Sequence, residues 1–363
     1  MRQVVTIKDV ARRAGVSPAV VSRVLNAGTG PVAAGTRQRV LDAIKELRYR
    51  PNIGARELKT RTANTVGLVL ADVSNHFFAQ LADCVVARAR ELGWGVLLMT
   101  TQEDAGLERR SVELLMEKRV RGVIAAPTGG NAASWRQLRD MGIDLVFVDR
   151  SVPRVAAADV VHVDDEDGAH TATRHLIGQG HQRIALLAGP PDTSTGRART
   201  QGYRRAVAEL GARDDPELVL QADFRDDATA ICRRLLSLRP APTGLVLANT
   251  AMSESVMSRL REAGVDVPGQ LSVVVFHDAP WTRLMTPGVS VVRHPVPELA
   301  QHAVDLLVQR LATTRPLRRR EVALPSELVL RGSVRHISAE GGRHGPAADP
   351  SAIGRDGACR GLS

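Results

Sequence analysis

From Val66 to Phe276 the chain repeats one pattern many times over: a short apolar run, then an amphipathic stretch of about three helical turns. The apolar runs are Val66–Leu70, Gly95–Met99, Gly122–Ala125, Leu145–Val148, Arg183–Ala188, Leu218–Gln221, Gly244–Ala248 and Ser272–Phe276. Runs this short and this apolar read as strands buried on both faces. Helical periodicity fills the intervals, at 77–92, 107–118, 132–141, 168–179, 196–210, 229–238 and 253–263. Strand, helix, strand in strict alternation builds parallel sheets covered by helices. The rhythm breaks between Val148 and Gly168 and then restarts, so the pattern predicts an α/β body of two doubly wound parallel-sheet lobes. A ligand then belongs in the cleft between them, at the carboxyl ends of the strands.

The segment before this body has a different character. Residues 1–61 carry thirteen Lys and Arg against four Asp and Glu, whereas residues 62–334 carry 32 of each sign. Nearly all of the chain's net charge of +10 therefore sits in a small N-terminal head. A basic module on a neutral body is the electrostatic footprint of a nucleic-acid-binding head. No apolar run approaches the roughly 20 residues needed to cross a bilayer, and the first residues lack the apolar core of a secretion signal. Cys84, Cys232 and Cys359 are far apart and without metal-ligand spacing. A cytoplasmic protein without membrane, metal or cofactor is expected.

Within the head, Thr6 is placed to cap a helix carrying Ile7, Val10, Ala11 and Ala14, and Gly15 ends it. Ser17 and Pro18 open a second helix whose Val20, Val21, Val24 and Leu25 form an apolar face. A third is expected at 36–47, with Val40, Leu41, Ile44 and Leu47 inward. Two short helices joined by Ala-Gly-Val-Ser form an all-α helix-turn-helix, with the second as recognition helix. Pro18, Ala19, Ser22, Arg23 and Asn26 lie on its outer side. Arg23 suits a guanine edge or a phosphate, and the small residues suit close approach to a thymine methyl.

The segments TIKDVARRAGVSPAVVSRVLN (6–26) and YRPNIGAREL (49–58) resemble the head and hinge of the lac repressor family. The resemblance continues through DVSNHFF (72–78), Asp149-Arg150, DDEDG (164–168), GHQRIALLAGP (180–190), RARTQGY (197–203) and LPSELVLRGS (324–333), covering roughly residues 4–335. It implies a periplasmic-binding-protein-like body, and four regions: a helix-turn-helix domain at 1–50, a hinge helix and linker at 51–62, an effector-binding and dimerisation body at 63–335, and a disordered tail at 336–363. It also implies that Leu58 wedges into the minor groove of double-stranded operator DNA, with Asn52 and Ala55 on the same short helix and Thr6 and Ser17 beside the DNA. A segment of about eight residues is too short to be a stable helix alone, so it orders with help from DNA and a dimer mate.

The same resemblance nominates effector-binding residues at strand ends: Phe77 and Phe78 as an apolar wall, Asp149 as a hydroxyl acceptor, Thr193, Thr195 and Arg199 after the strand at 183–188, Phe224 and Asn249 as a second wall and an amide, and His277. Arg197 reads as a surface charge, and Trp281 is open between ligand stacking and lobe packing. Three departures stand out. Val20 takes a position where the family often has threonine. Val275-Phe-His-Asp278 and Ala248-Asn-Thr250 each lose an acid beside the cleft. Either the small-molecule effector is a sugar acid or sugar phosphate, or the site has weakened, or a plain sugar site tolerates the changes. The acidic run Asp164–Asp167 with His162 and His170 precedes a helix, where acids complement the dipole, rather than marking a metal site.

Enzyme signatures are missing: there is no G-x-x-x-x-G-K-[ST] and no G-x-S-x-G, and Gly28–Ala33 follows a helix rather than a strand. The expectation is a ligand-responsive, sequence-specific DNA-binding regulator, not an enzyme. It acts as a homodimer on a pseudo-palindrome, most simply as a repressor. A sugar-binding receptor and an α/β enzyme with a DNA-binding head are the alternatives. No C-terminal leucine heptad calls for a higher oligomer.

Overall fold

The computed structural model describes residues 5–25, 32–49, 64–155, 158–211, 215–224, 226–313 and 317–338. The chain divides into two units, one up to residue 63 and one from residue 64. The hinge residues Asn52, Ala55 and Leu58, together with Asn26 and the chain from 339 onward, lie outside the described residues.

The first unit is three helices: α1 (Ile7–Ala14), α2 (Pro18–Leu25) and α3 (Ala34–Glu46). Thr6 opens α1, its backbone N–H and its hydroxyl both donating to the Asp9 carboxylate at 2.9 and 2.6 Å. Gly15 closes it at φ 67°, a left-handed position that costs glycine little. Val10, Ala11, Ala14, Val21, Val24, Val40, Ala43 and Tyr49 form the core. Leu41 differs from its expected inward position and is 43% exposed. The third helix turns Val40 and Ala43 inward, three residues apart, and this carries Leu41 to the outer face.

The second unit holds two six-stranded sheets. Lobe 1 has the order β11-β5-β4-β3-β1-β2, built from β1 (Thr65–Leu70), β2 (Gly95–Thr100), β3 (Gly122–Ala125), β4 (Asp144–Val148), β5 (Asp159–Val163) and β11 (Glu321–Leu324). Lobe 2 has the order β12-β10-β9-β8-β6-β7, built from β6 (Ile184–Ala188), β7 (Val219–Gln221), β8 (Gly244–Ala248), β9 (Ser272–Phe276), β10 (Ser290–Arg293) and β12 (Glu327–Val329). Every pairing is parallel except β10 with β12. The central strands β3, β6, β8 and β9 are buried along their whole length, which is why their sequences are unbroken apolar runs. In lobe 1 the helices are α4 (His76–Glu91), α5 (Ala105–Glu117), α6 (Ala132–Asp140) and α12 (Val296–Leu311). In lobe 2 they are α7 (Asp165–Gly178), α8 (Ser194–Leu210), α9 (Ala228–Ser237), α10 (Ser253–Glu262) and α11 (Pro280–Leu284).

The chain passes between the lobes three times, after β5, after β10 and after β11, rather than once. Helix α12 returns to pack on α4, β3, β4 and β5. Its Arg310 and the Arg320 side chain converge on Asp159, a carboxylate with no exposed surface, at 2.7 and 2.8 Å. Helices α7 and α8 pack closely because residue 202 is glycine; a Cβ there would meet the Glu166 carbonyl at 2.0 Å. The body also runs past the expected boundary at 335: the Arg335 N–H donates to Ser272 Oγ at 3.0 Å and the Ile337 N–H to the Gln179 carbonyl at 2.8 Å. Among the described residues, no helix is long and apolar enough to cross a membrane.

Candidate functional site

The carboxyl ends of both sheets carry non-glycine residues in left-handed backbone. Gln102 and Glu103 follow β2 at φ 51° and 60°, Asp149 follows β4 at 65°, and His277 follows β9 at 74°. Such conformations are uncommon and cluster where a fold places side chains for a purpose. Asp149 and His277 occupy equivalent places in the two lobes. Each continues its sheet through one backbone bond, Asp149 N–H to Val161 at 2.9 Å and His277 N–H to Val292 at 2.8 Å, and turns its side chain off the strand end.

Between the lobes these ends meet. Asn75 caps α4 by accepting from the Phe77 N–H at 3.1 Å, and its amide donates to Thr250 Oγ1 in the other lobe at 3.3 Å. The Ser151 N–H donates to Ser194 Oγ at 3.2 Å. The Phe77 ring stands edge-on to His277 and to His294, with centroids 5.5 and 5.6 Å away. His76 lies 5.4 Å from His277. Arg150 reaches under Phe224 at 4.5 Å and Phe78 at 5.5 Å, so the two expected apolar walls sandwich a guanidinium rather than facing an open slot.

The charges at the site are internally matched. Arg150 donates to Glu103 at 2.7 Å and lies 3.4 Å from Asp149. Arg199 donates to Asp165 at 2.8 Å and to the Ala248 carbonyl at 2.8 Å, with its guanidinium over Phe276. Burial pushes the Asp149 carboxyl up to about 6, against the opposing pull of Arg150. Burial pushes His277 and His294 down to about 3, reinforced at His277 by His294 and His76 and at His294 by Arg199. Several buried polar atoms here have no hydrogen-bond partner: Nδ1 and Nε2 of both His277 and His294 and Oδ1 of Asn249 in lobe 2, and Nε of Arg150 in lobe 1. Native interiors seldom leave such atoms unpaired, so a group of them calls for an explanation.

The nominated residues divide accordingly. Phe77, Phe78, Asp149, Arg199, Phe224, Asn249 and His277 lie at these strand ends. Thr193 serves the fold, its hydroxyl capping α8 at Gly196 and donating to the Pro190 carbonyl. Thr195 is buried at the second position of the same helix. Arg197 is exposed and holds the Pro191 and Asp192 carbonyls, and Trp281 packs against the lobe 2 core. The run 164–167 is used up locally: Asp164 caps α7, Asp165 holds Arg199, and Glu166 and Asp167 face Arg205. Sequence reasoning did not nominate His294, Arg150, Glu103 or Asp165. His294 follows β10, a four-residue strand it did not find. Arg150 was visible as the neighbour of Asp149. A hollow of about 510 Å³ lies elsewhere, at the amino ends of β3 and β4, and none of the unpaired atoms is there.

In the head, Ser17, Pro18, Ala19 and Arg23 are exposed, while Ser22 and Val20 are half-buried. The outer side of α2 therefore exposes small residues and one arginine, as the periodicity predicts. Thr6 spends its hydroxyl on Asp9.

Known proteins share this arrangement. The description "Bacterial regulatory proteins, lacI family" matches residues 6–52, and "Periplasmic binding protein-like domain" matches residues 173–334. The transcriptional repressor PurR of Photobacterium profundum is 30% identical over 335 residues, 92% of this chain and 99% of that protein. The chain belongs to the lacI family. The ribose operon repressor of Halalkalibacterium halodurans is a further relative, 33% identical over 331 residues, 90% of this chain and 96% of its own. Among solved structures, the lac repressor dimer bound to operator and the anti-inducer ONPF matches with a TM-score of 0.79 at 26% identity, covering 92% of this chain and all of that one. The complex of the regulator CelR with cellobiose matches at 0.69 and 30% identity, covering 91% and 99%. This lacI-family member is a transcriptional regulator, with a helix-turn-helix that binds DNA and a two-lobed body of the ligand-binding type.

Proposed function

We propose that this regulator is a repressor that binds a pseudo-palindromic operator as a homodimer and responds to a small neutral or acidic sugar-like effector held between its lobes. The observation that carries the effector site is the group of buried, unpaired polar atoms at the carboxyl ends of both sheets. Supporting it, the cellobiose of the CelR complex and the operator of the lac repressor complex belong to proteins of the same architecture. The assignment extends to the regions: DNA reading by 1–50, a hinge helix and linker at 51–62 carrying the Leu58 wedge, and effector binding and dimerisation by the body. Asn26, Asn52 and Ala55 belong to the DNA-contacting set with Thr6, Ser17, Pro18, Ala19, Ser22 and Arg23. The protein acts in the cytoplasm and carries no catalytic activity of its own.

The mechanism follows from coupling. A ligand that draws the lobes together changes the geometry each body offers its dimer mate. That change alters whether two short hinge segments can order side by side on DNA. A marginal helix amplifies a small displacement, since it is stable only with its partners in place. Selection of the full-length protein against a randomised duplex pool tests the reading. Enrichment of a pseudo-palindrome with a flexible central step is the expected result. Enrichment of a single asymmetric half-site would refute the dimeric reading.

A further inference from the structure

Asn249 and Arg150 each keep a hydrogen bond on another side-chain atom, whereas the two histidines at the cleft have none. Each is 5% exposed, and neither ring has a hydrogen-bond partner on either nitrogen. The nearest carboxylate oxygen, Asp165 Oδ1, is 3.7 Å from His294 Nε2 and already accepts from Arg199. The ring centroids are 6.2 Å apart, and Phe77 closes one side of both.

A neutral imidazole carries one N–H and one lone pair. Two of them present two donors and two acceptors. An ionised carboxylate, or a fully ionised phosphate, only accepts. It would satisfy two of the four nitrogens and hold two lone pairs against negative charge. The remedy, protonating both rings, is opposed by their burial. The neighbouring guanidiniums of Arg150 and Arg199 are bound to Glu103 and Asp165, and Arg150, whose Nε lacks a hydrogen-bond partner, also lies 3.4 Å from Asp149, so neither brings uncompensated charge to an anion. A hydroxyl or an amide edge both donates and accepts, and matches the pair without moving a proton.

We propose that His277 and His294 are a specificity-determining pair that selects a neutral ligand bearing hydroxyl or amide groups over its acidic or phosphorylated counterpart. The inference rests on the cleft being the effector site, and it narrows the effector to neutral compounds. Its test is a thermal-shift and calorimetric screen of the full-length protein at neutral pH. The panel is matched sets of a neutral sugar, its aldonic acid and its phosphate ester, together with neutral purine bases. A neutral member binding more tightly than its acid and its phosphate is expected. His277→Phe and His294→Phe, which keep a ring and remove the nitrogens, each weaken that compound about tenfold and leave the anions unchanged. His277→Gln retains part of the affinity, because an amide also donates and accepts.

An acid or phosphate that binds more tightly than its neutral parent overturns the proposal, and so does a panel with no neutral binder. If the phenylalanine variants do not fold, the wild-type ratio of neutral to anionic affinity decides alone. Operator affinity measured beside each compound separates the two readings. An anion that changes operator affinity refutes the pair and leaves the cleft as effector site. A neutral compound that binds through the pair without changing operator affinity supports the pair and refutes the coupling.

Discussion

Acidification from pH 7 to pH 5 destabilises the body by an amount that its buried histidines set. His181 accepts from the Thr243 hydroxyl and donates to the Arg335 carbonyl, and burial lowers it to about 4. His277 and His294 are lowered to about 3. In the unfolded chain all three titrate near the ordinary histidine value of about 6.5. Their stabilising contribution is therefore complete above that value and is lost as pH falls below it, because the unfolded chain takes protons that the native protein refuses. Asp149 opposes them. Its native value of about 6 lies above that of an unfolded aspartate, so it takes a proton in the native protein first and offsets one histidine. Near pH 5 the unfolded state holds about three protons at these sites and the native state about one. A net two protons at about 1.4 kcal/mol per proton per pH unit gives a slope of about 3 kcal/mol per unit. The loss from pH 7 to pH 5 comes to about 4 kcal/mol, or a fall in Tm of about 10 °C for a body of this size. Urea unfolding followed by tryptophan fluorescence reads this unit alone, because Trp94, Trp135 and Trp281 all lie in it. In the double variant His277→Phe/His294→Phe, His181 and Asp149 nearly cancel and the profile flattens. A wild-type body equally stable at both pH values would refute the reasoning.

Two further outcomes are expected. Under the proposed hinge, Leu58→Gln lowers affinity for the selected operator far more than affinity for random duplex, in a titration at fixed salt; equal losses would remove the wedge. Asp159→Ala leaves Arg310 buried without its carboxylate and destabilises the body by about 3–5 kcal/mol, read as a shift in the urea midpoint. An effect below about 1 kcal/mol would mean that the arginine finds water or another partner.

The α/β reading and most element positions were legible because buried parallel strands leave unbroken apolar runs. The strands at 122–125, 244–248 and 272–276 stand where the pattern puts them. What escaped is what local pattern does not encode. β5 mixes Asp159 and His162 into its run, and β10, β11 and β12 are only three or four residues long, with Glu321 and Glu327 exposed at the sheet edges. Missing those strands hid the second and third passages between lobes, and with them His294. The site was half legible for the same reason. Residues next to strands already found, such as Asp149 and His277, could be nominated. Their partners Glu103 and Asp165 are ordinary acids until the backbone turns them inward. Thr193 shows a role the nomination did not foresee: its hydroxyl caps the helix that starts there.

The contacts that join the lobes explain how a modest ligand could control them. Across the cleft run two hydrogen bonds, Asn75 to Thr250 and Ser151 to Ser194, at about 1 kcal/mol each. Ring-edge contacts of Phe77 with the two histidines contribute about 0.5–1.5 kcal/mol apiece. Against them stand four ring nitrogens buried without partners, each costing about 1–3 kcal/mol. The penalty at least matches these attractions, so apposed lobes without ligand hold no large advantage over parted ones. A compound that pairs those nitrogens removes the penalty only where the lobes meet, since His277 and His294 face Phe77 and His76 from the opposite lobe. Its affinity is therefore differential between the two arrangements, which is the condition for shifting their populations. A ligand that bound one lobe alone, however tightly, would make the same contacts in both and leave the equilibrium where it was.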